Sequence, residues 1–126
     1  MPVINVVDDD ESMRFLLRLI LERAGYDVVE AESGEECLEN FDSIRPDLIL
    51  LDLNMPGING WDVCKQIKER IPANSVPISM LSGMKTEKDL RRSFEYAHAD
   101  AHLKKPIDKR ELLDTVKILL EKPSRP

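Results

Sequence analysis

Short runs of apolar residues alternate with longer stretches that mix apolar and polar positions, five times along the chain. The runs are Val3–Val7, Asp27–Ala31, Leu48–Leu51, Pro77–Leu81 and Ala101–Lys104. The first four are rich in Val, Ile or Leu, as strands covered on both faces are. The last is short and poor in such residues, and the alternation is what assigns it as a strand.

Helices fill the intervals. Met13, Leu16, Leu17, Ile20, Leu21 and Ala24 recur at three- and four-residue steps and predict one broad apolar stripe. Gly25 then ends that helix in the manner of a C-terminal glycine. Cys37, Leu38, Phe41 and Ile44 mark a second helix; Gly60, Cys64, Ile67 and Ile71 mark a third, closed by Pro72. Thr86, with Asp89 three residues on, predicts a near capping box for a fourth. That helix is expected to turn Leu90, Phe94 and Ala97 inward and Lys88, Arg91, Arg92 and Glu95 outward. The fifth carries Leu112, Leu113, Val116, Leu119 and Leu120. Strand–helix units joined by short connections build a parallel sheet with helices on both faces, an α/β doubly wound domain.

Composition agrees with one such domain. The chain has 126 residues, 42% of them hydrophobic, within the usual span of a single compact unit. No stretch approaches the ~20 apolar residues of a membrane helix, and the start shows no basic segment leading into an apolar run. Eighteen Lys and Arg against 24 Asp and Glu leave a net charge of −6, which argues against direct nucleic-acid binding, where a basic face neutralises phosphates. Cys37 and Cys64 lack metal-ligand or redox spacing. On the apolar sides of their helices they read as small buried hydrophobes, and lone thiols fit a reducing cytoplasm.

In an open parallel sheet, ligands bind beyond the carboxyl ends of the strands. Past the first strand lie Asp8-Asp9-Asp10-Glu11, past the third Asp52 to Gly57, past the fourth Ser82-Gly83, and at the end of the fifth Lys104-Lys105-Pro106. Past the second, Glu32-Ser33-Gly34 supplies a helix cap. Singly, each has a simpler explanation: a cap for one of the aspartates, a turn for Asn54-Met55-Pro56-Gly57, a loop serine, an exposed lysine. Together they suggest more. Carboxylates gathered at one sheet edge repel unless a cation lies between them, and a few hard oxygen ligands suit Mg²⁺. A lysine nearby suits a phosphoryl group, and an aspartate can itself be the nucleophile that forms an acyl phosphate. The constellation reads as an aspartate that accepts phosphate.

Val6-Val7-Asp8-Asp9, Leu50-Leu51-Asp52-Leu53-Asn54-Met55-Pro56-Gly57, Leu81-Ser82-Gly83 and Lys105-Pro106 stand in an order and at distances that resemble the receiver domain of two-component response regulators, the CheY-like family. The resemblance covers residues 2–121 and leaves 122–126 as a tail or the start of a linker. It implies a flavodoxin-like five-stranded sheet of order 2-1-3-4-5. It also implies that Asp52 is the phosphoacceptor and that Mg²⁺ is held directly by Asp9, through water by Asp8, and by Asp52 and the backbone carbonyl of Asn54. Ser82 would donate its hydroxyl to a phosphoryl oxygen, Lys105 would pair with the phosphoryl group, and the Lys105–Pro106 bond would be cis. The phosphate would come from a sensor histidine kinase or a phosphotransfer protein.

By the same resemblance His102 stands at the switch position of the fifth strand, where Tyr or Phe is common, and a surface histidine is the competing reading. The fourth helix, fifth strand and fifth helix would form the face that docks a downstream protein, lined by Lys88, Arg91, Arg92, Glu95, His102 and Lys109. Such faces serve monomers or phosphorylation-dependent homodimers. His98 reads as surface, and Trp61 as a partly exposed residue near the Asp52 loop. The expected protein is cytoplasmic, binds no membrane, and is no enzyme beyond its own phosphorylation and dephosphorylation. The competing class is an aspartyl-phosphate phosphatase of haloacid-dehalogenase type, whose nucleophile comes early in the chain with a second Asp two residues on. Here the acidic cluster precedes Asp52, and position 54 is Asn.

Overall fold

Each of the apolar runs becomes a strand of one parallel sheet. In the computed structural model, which describes residues 1–70, 76–83 and 87–121, the strands are β1 Val3–Val7, β2 Asp27–Ala31, β3 Leu48–Asp52, β4 Ile78–Ser82 and β5 Ala101–Lys104. Their order is β2-β1-β3-β4-β5, and every neighbouring pair is parallel. β3 and β4 both run one residue beyond their apolar stretches, to Asp52 and Ser82. β4 starts at Ile78 because Pro77 has no N–H to give; Pro77 contributes only its carbonyl, which accepts from Ile49 at 3.1 Å.

The helices are α1 Glu11–Arg23, α2 Gly34–Ile44, α3 Gly60–Arg70, α4 Glu87–Arg91 and α5 Lys109–Glu121. Asp10 caps α1 by accepting from the Ser12 N–H at 2.9 Å. Gly25, at φ 97°, ends it in the left-handed conformation that glycine tolerates best. Ser33 caps α2 at 3.1 Å, and Glu36 reaches back to the Glu32 N–H at 2.7 Å. The second strand end therefore supplies the cap expected of it. Pro72 and Thr86, the expected stop of the third helix and cap of the fourth, and the tail 122–126 lie outside the described residues.

The sheet separates two apolar cores. Ile49 and Leu51 point to the side of α2 and α3, among Cys37, Phe41, Trp61, Val63, Cys64 and Ile67. Leu48 and Leu50 point to the side of α1 and α5, among Leu17, Leu21, Leu112, Val116 and Leu119. Each such side chain contributes about 1.5–3 kcal/mol on leaving water, and together they hold β3 buried along its whole length. Cys37 and Cys64 are free and buried; desolvation pushes both thiols up to about 12, so they pack as small hydrophobes.

Two helices depart from expectation. On α1 the buried face is narrower than the predicted stripe: Leu17 and Leu21 are buried, but Leu16 is 43% exposed and Ala24 is at the surface. Arg14 takes part of the inward face instead. α4 continues as a π-helical turn over Arg92–Tyr96, with the Ala97 N–H donating to the Arg92 carbonyl at 3.1 Å. The wider turn rotates the following residues. Ser93 becomes fully buried and Phe94 is 44% exposed, reversing the predicted inward placing of Phe94, while Ala97 stays inside. Among the described residues, no helix is long and apolar enough to cross a membrane.

Candidate functional site

The carboxyl ends of β1, β3, β4 and β5 bring the predicted residues to one edge. Asp8 follows β1 and is 1% exposed. Its N–H donates to the Ala31 carbonyl at 3.1 Å, and its Oδ1 accepts from the Asp10 N–H at 2.9 Å. Asp52, the last residue of β3, is 4% exposed. Gly60 at the start of α3 lies directly against it: a Cβ there would stand 2.5 Å from the Asp52 carbonyl oxygen. Only glycine allows α3 to begin this close to the strand.

Lys105 reaches both carboxylates. Its Nζ donates to Asp8 Oδ2 at 2.9 Å and to Asp52 Oδ1 at 3.2 Å. Its own N–H donates to the Ser82 carbonyl at 2.8 Å, tying the end of β5 to the end of β4. The Lys105–Pro106 peptide is cis. Ser82 is buried in β4 beside this edge, and Asn54 lies exposed in the loop that leaves Asp52.

Burial, followed by the charge of Asp8, raises the Asp52 carboxyl above the usual range; Lys105 and the Asn54 N–H pull the other way without winning. Burial alone would lower the Lys105 ammonium. Its hydrogen bond to Asp8 and the charges of Asp52 and Asp8 outweigh burial and hold it above its ordinary value. The lysine is therefore a fixed positive charge at neutral pH.

Carboxylate oxygens of Asp8, Asp9 and Asp52 lie within 4.8 Å of one another, Asp9 at the exposed rim and the other two buried. Three hard anionic oxygens this close together, offset among the described residues by the Lys105 ammonium, suit a hard divalent cation that keeps some of its waters. The donor set fits Mg²⁺.

The structure separates the remaining candidates. His98 is exposed. Lys88, Arg91, Glu95 and Lys109 are exposed, as expected of the face formed by α4, β5 and α5. Arg92 is exposed too, but stacks over Trp61, 4.5 Å from the ring centre, and lies 5.4 Å from that of Tyr96. His102 is half-buried, its Nδ1 2.9 Å from the Ser93 hydroxyl. That hydroxyl also accepts from Trp61 Nε1 at 2.9 Å and so links Trp61 to His102, the direction of its bond to the imidazole following the ring tautomer. Trp61 is thus 8% exposed and hydrogen-bonded, where the sequence predicted a partly exposed ring. Sequence reasoning missed Ser93, a serine one step before the expected inward Phe94. It also missed Arg14, whose signal was an arginine inside an apolar stripe facing a strand that holds Glu30.

Residues 4–117 match the response regulator receiver domain, and the chain belongs to that family. It is 43% identical over 120 residues to the transcriptional regulatory protein ResD of Bacillus subtilis, covering 95% of this chain and 48% of ResD. It is 41% identical over 117 residues to the alkaline phosphatase synthesis transcriptional regulatory protein PhoP of the same organism, covering 93% of this chain and 48% of PhoP. The chain thus spans about half the length of these curated relatives. Among solved structures, the chemotaxis protein CheY4 of Vibrio cholerae superposes with a TM-score of 0.87 at 29% identity, over 94% of this chain and 98% of CheY4. The BeF₃-activated N-terminal receiver domain of Klebsiella pneumoniae RstA gives 0.88 at 26% identity, over 95% and 99%.

Proposed function

We propose that this chain, over residues 2–121, is a phosphorylation-controlled switch whose Asp52 takes a phosphoryl group from a phosphohistidine of a sensor kinase or phosphotransfer protein. The observation that carries this reading is the bridging of Asp8 and Asp52 by Lys105 at one sheet edge. In the transfer, Asp52 Oδ attacks phosphorus, the P–N bond to the donor histidine breaks, and the imidazole leaves. Raising the Asp52 carboxyl by burial leaves a poorly solvated nucleophile once it is ionised, held in place by β3. Lys105 supplies positive charge to the arriving phosphoryl oxygens. Asp9 directly, Asp8 through water, Asp52 and the Asn54 carbonyl would hold Mg²⁺, which supplies neutralisation and in-line alignment of the phosphoryl group. Ser82 would donate its hydroxyl to a phosphoryl oxygen.

The chemistry would be confined to the chain's own phosphorylation and dephosphorylation. Its output would be a changed docking face on α4, β5 and α5, with His102 as the residue that couples the site to that face. The test is intact-mass measurement after incubation with an acyl-phosphate donor and Mg²⁺. One phosphoryl group should be added, and Asp52→Asn should take none; labelling that persists in Asp52→Asn would move the acceptor elsewhere.

A further inference from the structure

We infer that Arg14 is a positioning residue for the cation site, acting through the backbone of Asp8. Its side chain is 8% exposed. Nη1 donates to the Asp8 carbonyl at 2.7 Å, Nε to Glu30 Oε1 at 3.0 Å and Nη2 to Glu32 Oε1 at 3.4 Å. A buried guanidinium is costly unless its fork of donors is satisfied, and here the shortest of these bonds goes to the backbone carbonyl.

The other atoms of Asp8 are already held. Its N–H is bound to Ala31, Oδ1 to the Asp10 N–H and Oδ2 to Lys105. The carbonyl is the remaining degree of freedom, and it belongs to the peptide that joins Asp8 to Asp9. Fixing that carbonyl fixes the plane of the peptide, and with it the direction in which Asp9 leaves the backbone. Asp9 itself is exposed, so its aim toward Asp8 and Asp52 depends on the backbone beneath it. Arg14 stands to this peptide as an outer partner stands to a metal-ligating side chain.

Arg18, one turn on, pairs with the other oxygen of the same Glu30 at 2.7 Å and with Glu22 at 3.1 Å, and among the described residues makes no hydrogen bond to Asp8, Asp9 or Asp52. The two arginines therefore share a carboxylate and differ in whether they reach Asp8. That difference makes a controlled experiment possible.

The inference rests on the reading of Asp8, Asp9 and Asp52 as a Mg²⁺ site. Its test is calorimetric Mg²⁺ titration of the unphosphorylated wild-type chain and of Arg14→Met, Arg14→Lys and Arg18→Met, with melting temperatures measured alongside. Arg14→Met should weaken Mg²⁺ binding about 10- to 100-fold, as removal of outer partners does at other metal sites. Arg14→Lys keeps the charge but not the fork, and should fall between Arg14→Met and wild type. Arg18→Met should lower the melting temperature yet bind Mg²⁺ within about twofold of wild type, since no contact to the site is lost. Equal Mg²⁺ affinity in folded Arg14→Met and wild type would overturn the inference, as would equal weakening in Arg14→Met and Arg18→Met. Should Arg14→Met fail to fold, Arg14→Lys and Arg18→Met decide: weakening in the former alone supports the role, and matching affinities refute it. A wild-type chain that took up no Mg²⁺ would instead overturn the reading of the cation site itself.

Discussion

Lys105 stands nearer to Asp8, at 2.9 Å, than to Asp52, at 3.2 Å, so one ammonium serves two buried carboxylates of which only the second is the proposed acceptor. Replacing it with methionine leaves both anions uncompensated. Lys105→Met should cost about 1–3 kcal/mol, less than for a fully buried pair because the lysine is partly in water. Mg²⁺ should then raise the melting temperature of Lys105→Met by more than it raises that of wild type, since the cation replaces the lost charge. Equal shifts in thermal melts would contradict the shared role.

Asp52 carries a pH signature. Burial and the neighbouring Asp8 raise its carboxyl, so the folded protein holds this proton more tightly than the unfolded chain does. The stability so gained is fully present below the unfolded value and is lost as pH rises through the folded value. At neutral pH the ionised Asp52 therefore weighs against folding. Asp52→Asn should melt higher than wild type in metal-free buffer at pH 7, and the gap should close as the pH falls into the carboxylate range. Melting curves of both proteins across that range check the sign.

Gly60 confronts backbone, which has no means of stepping aside. Gly60→Ala would place its Cβ 2.5 Å from the Asp52 carbonyl and 2.9 Å from the Leu53 Cα. Overpacking of this kind costs about 1–3 kcal/mol, and it would displace the end of β3 that carries Asp52. Slower labelling by an acyl phosphate should accompany the lost stability, and Gly25→Ala offers a comparison, since open space surrounds that site and its cost comes from the positive φ alone.

Ser93 joins α3 to β5. Ser93→Ala removes the acceptor of the Trp61 Nε1–H and the hydroxyl partner of His102 Nδ1, at a cost of about 1–3 kcal/mol for stranded buried groups. The emission of Trp61, the chain's single tryptophan, should shift when its indole loses this partner. Unchanged emission together with unchanged stability would show the chain of hydrogen bonds to be idle.

The strands were legible because a strand covered on both faces is mostly apolar, and β1, β3 and β4 keep that character although Asn5 and Ser79 are buried within the first and last of them. β5 was reached only by alternation, since Ala101 and His102 are half-buried rather than core. The cluster of Asp8, Asp9, Asp52 and Lys105 was legible because these residues sit at strand ends, where topology decides proximity. What escaped was placed by contacts between elements distant in sequence. Ser93 faces inward because Trp61 and His102 bond it there, and the π turn that permits this follows from no local pattern of apolar residues. Arg14 faces inward because Glu30 and the Asp8 carbonyl receive it, and an arginine in an apolar stripe shows nothing of its partners.

The two cores on either side of β3 divide the labour of the molecule. The Asp52 end of that strand is packed from both layers, Leu51 against one core and Leu50 against the other, both fully buried. The outer surfaces of the helices contribute no side chain to the cluster of Asp8, Asp9, Asp52 and Lys105. Under the proposed function, residues on those surfaces can be exchanged to suit a partner while the edge that carries Asp8, Asp52 and Lys105 is left untouched.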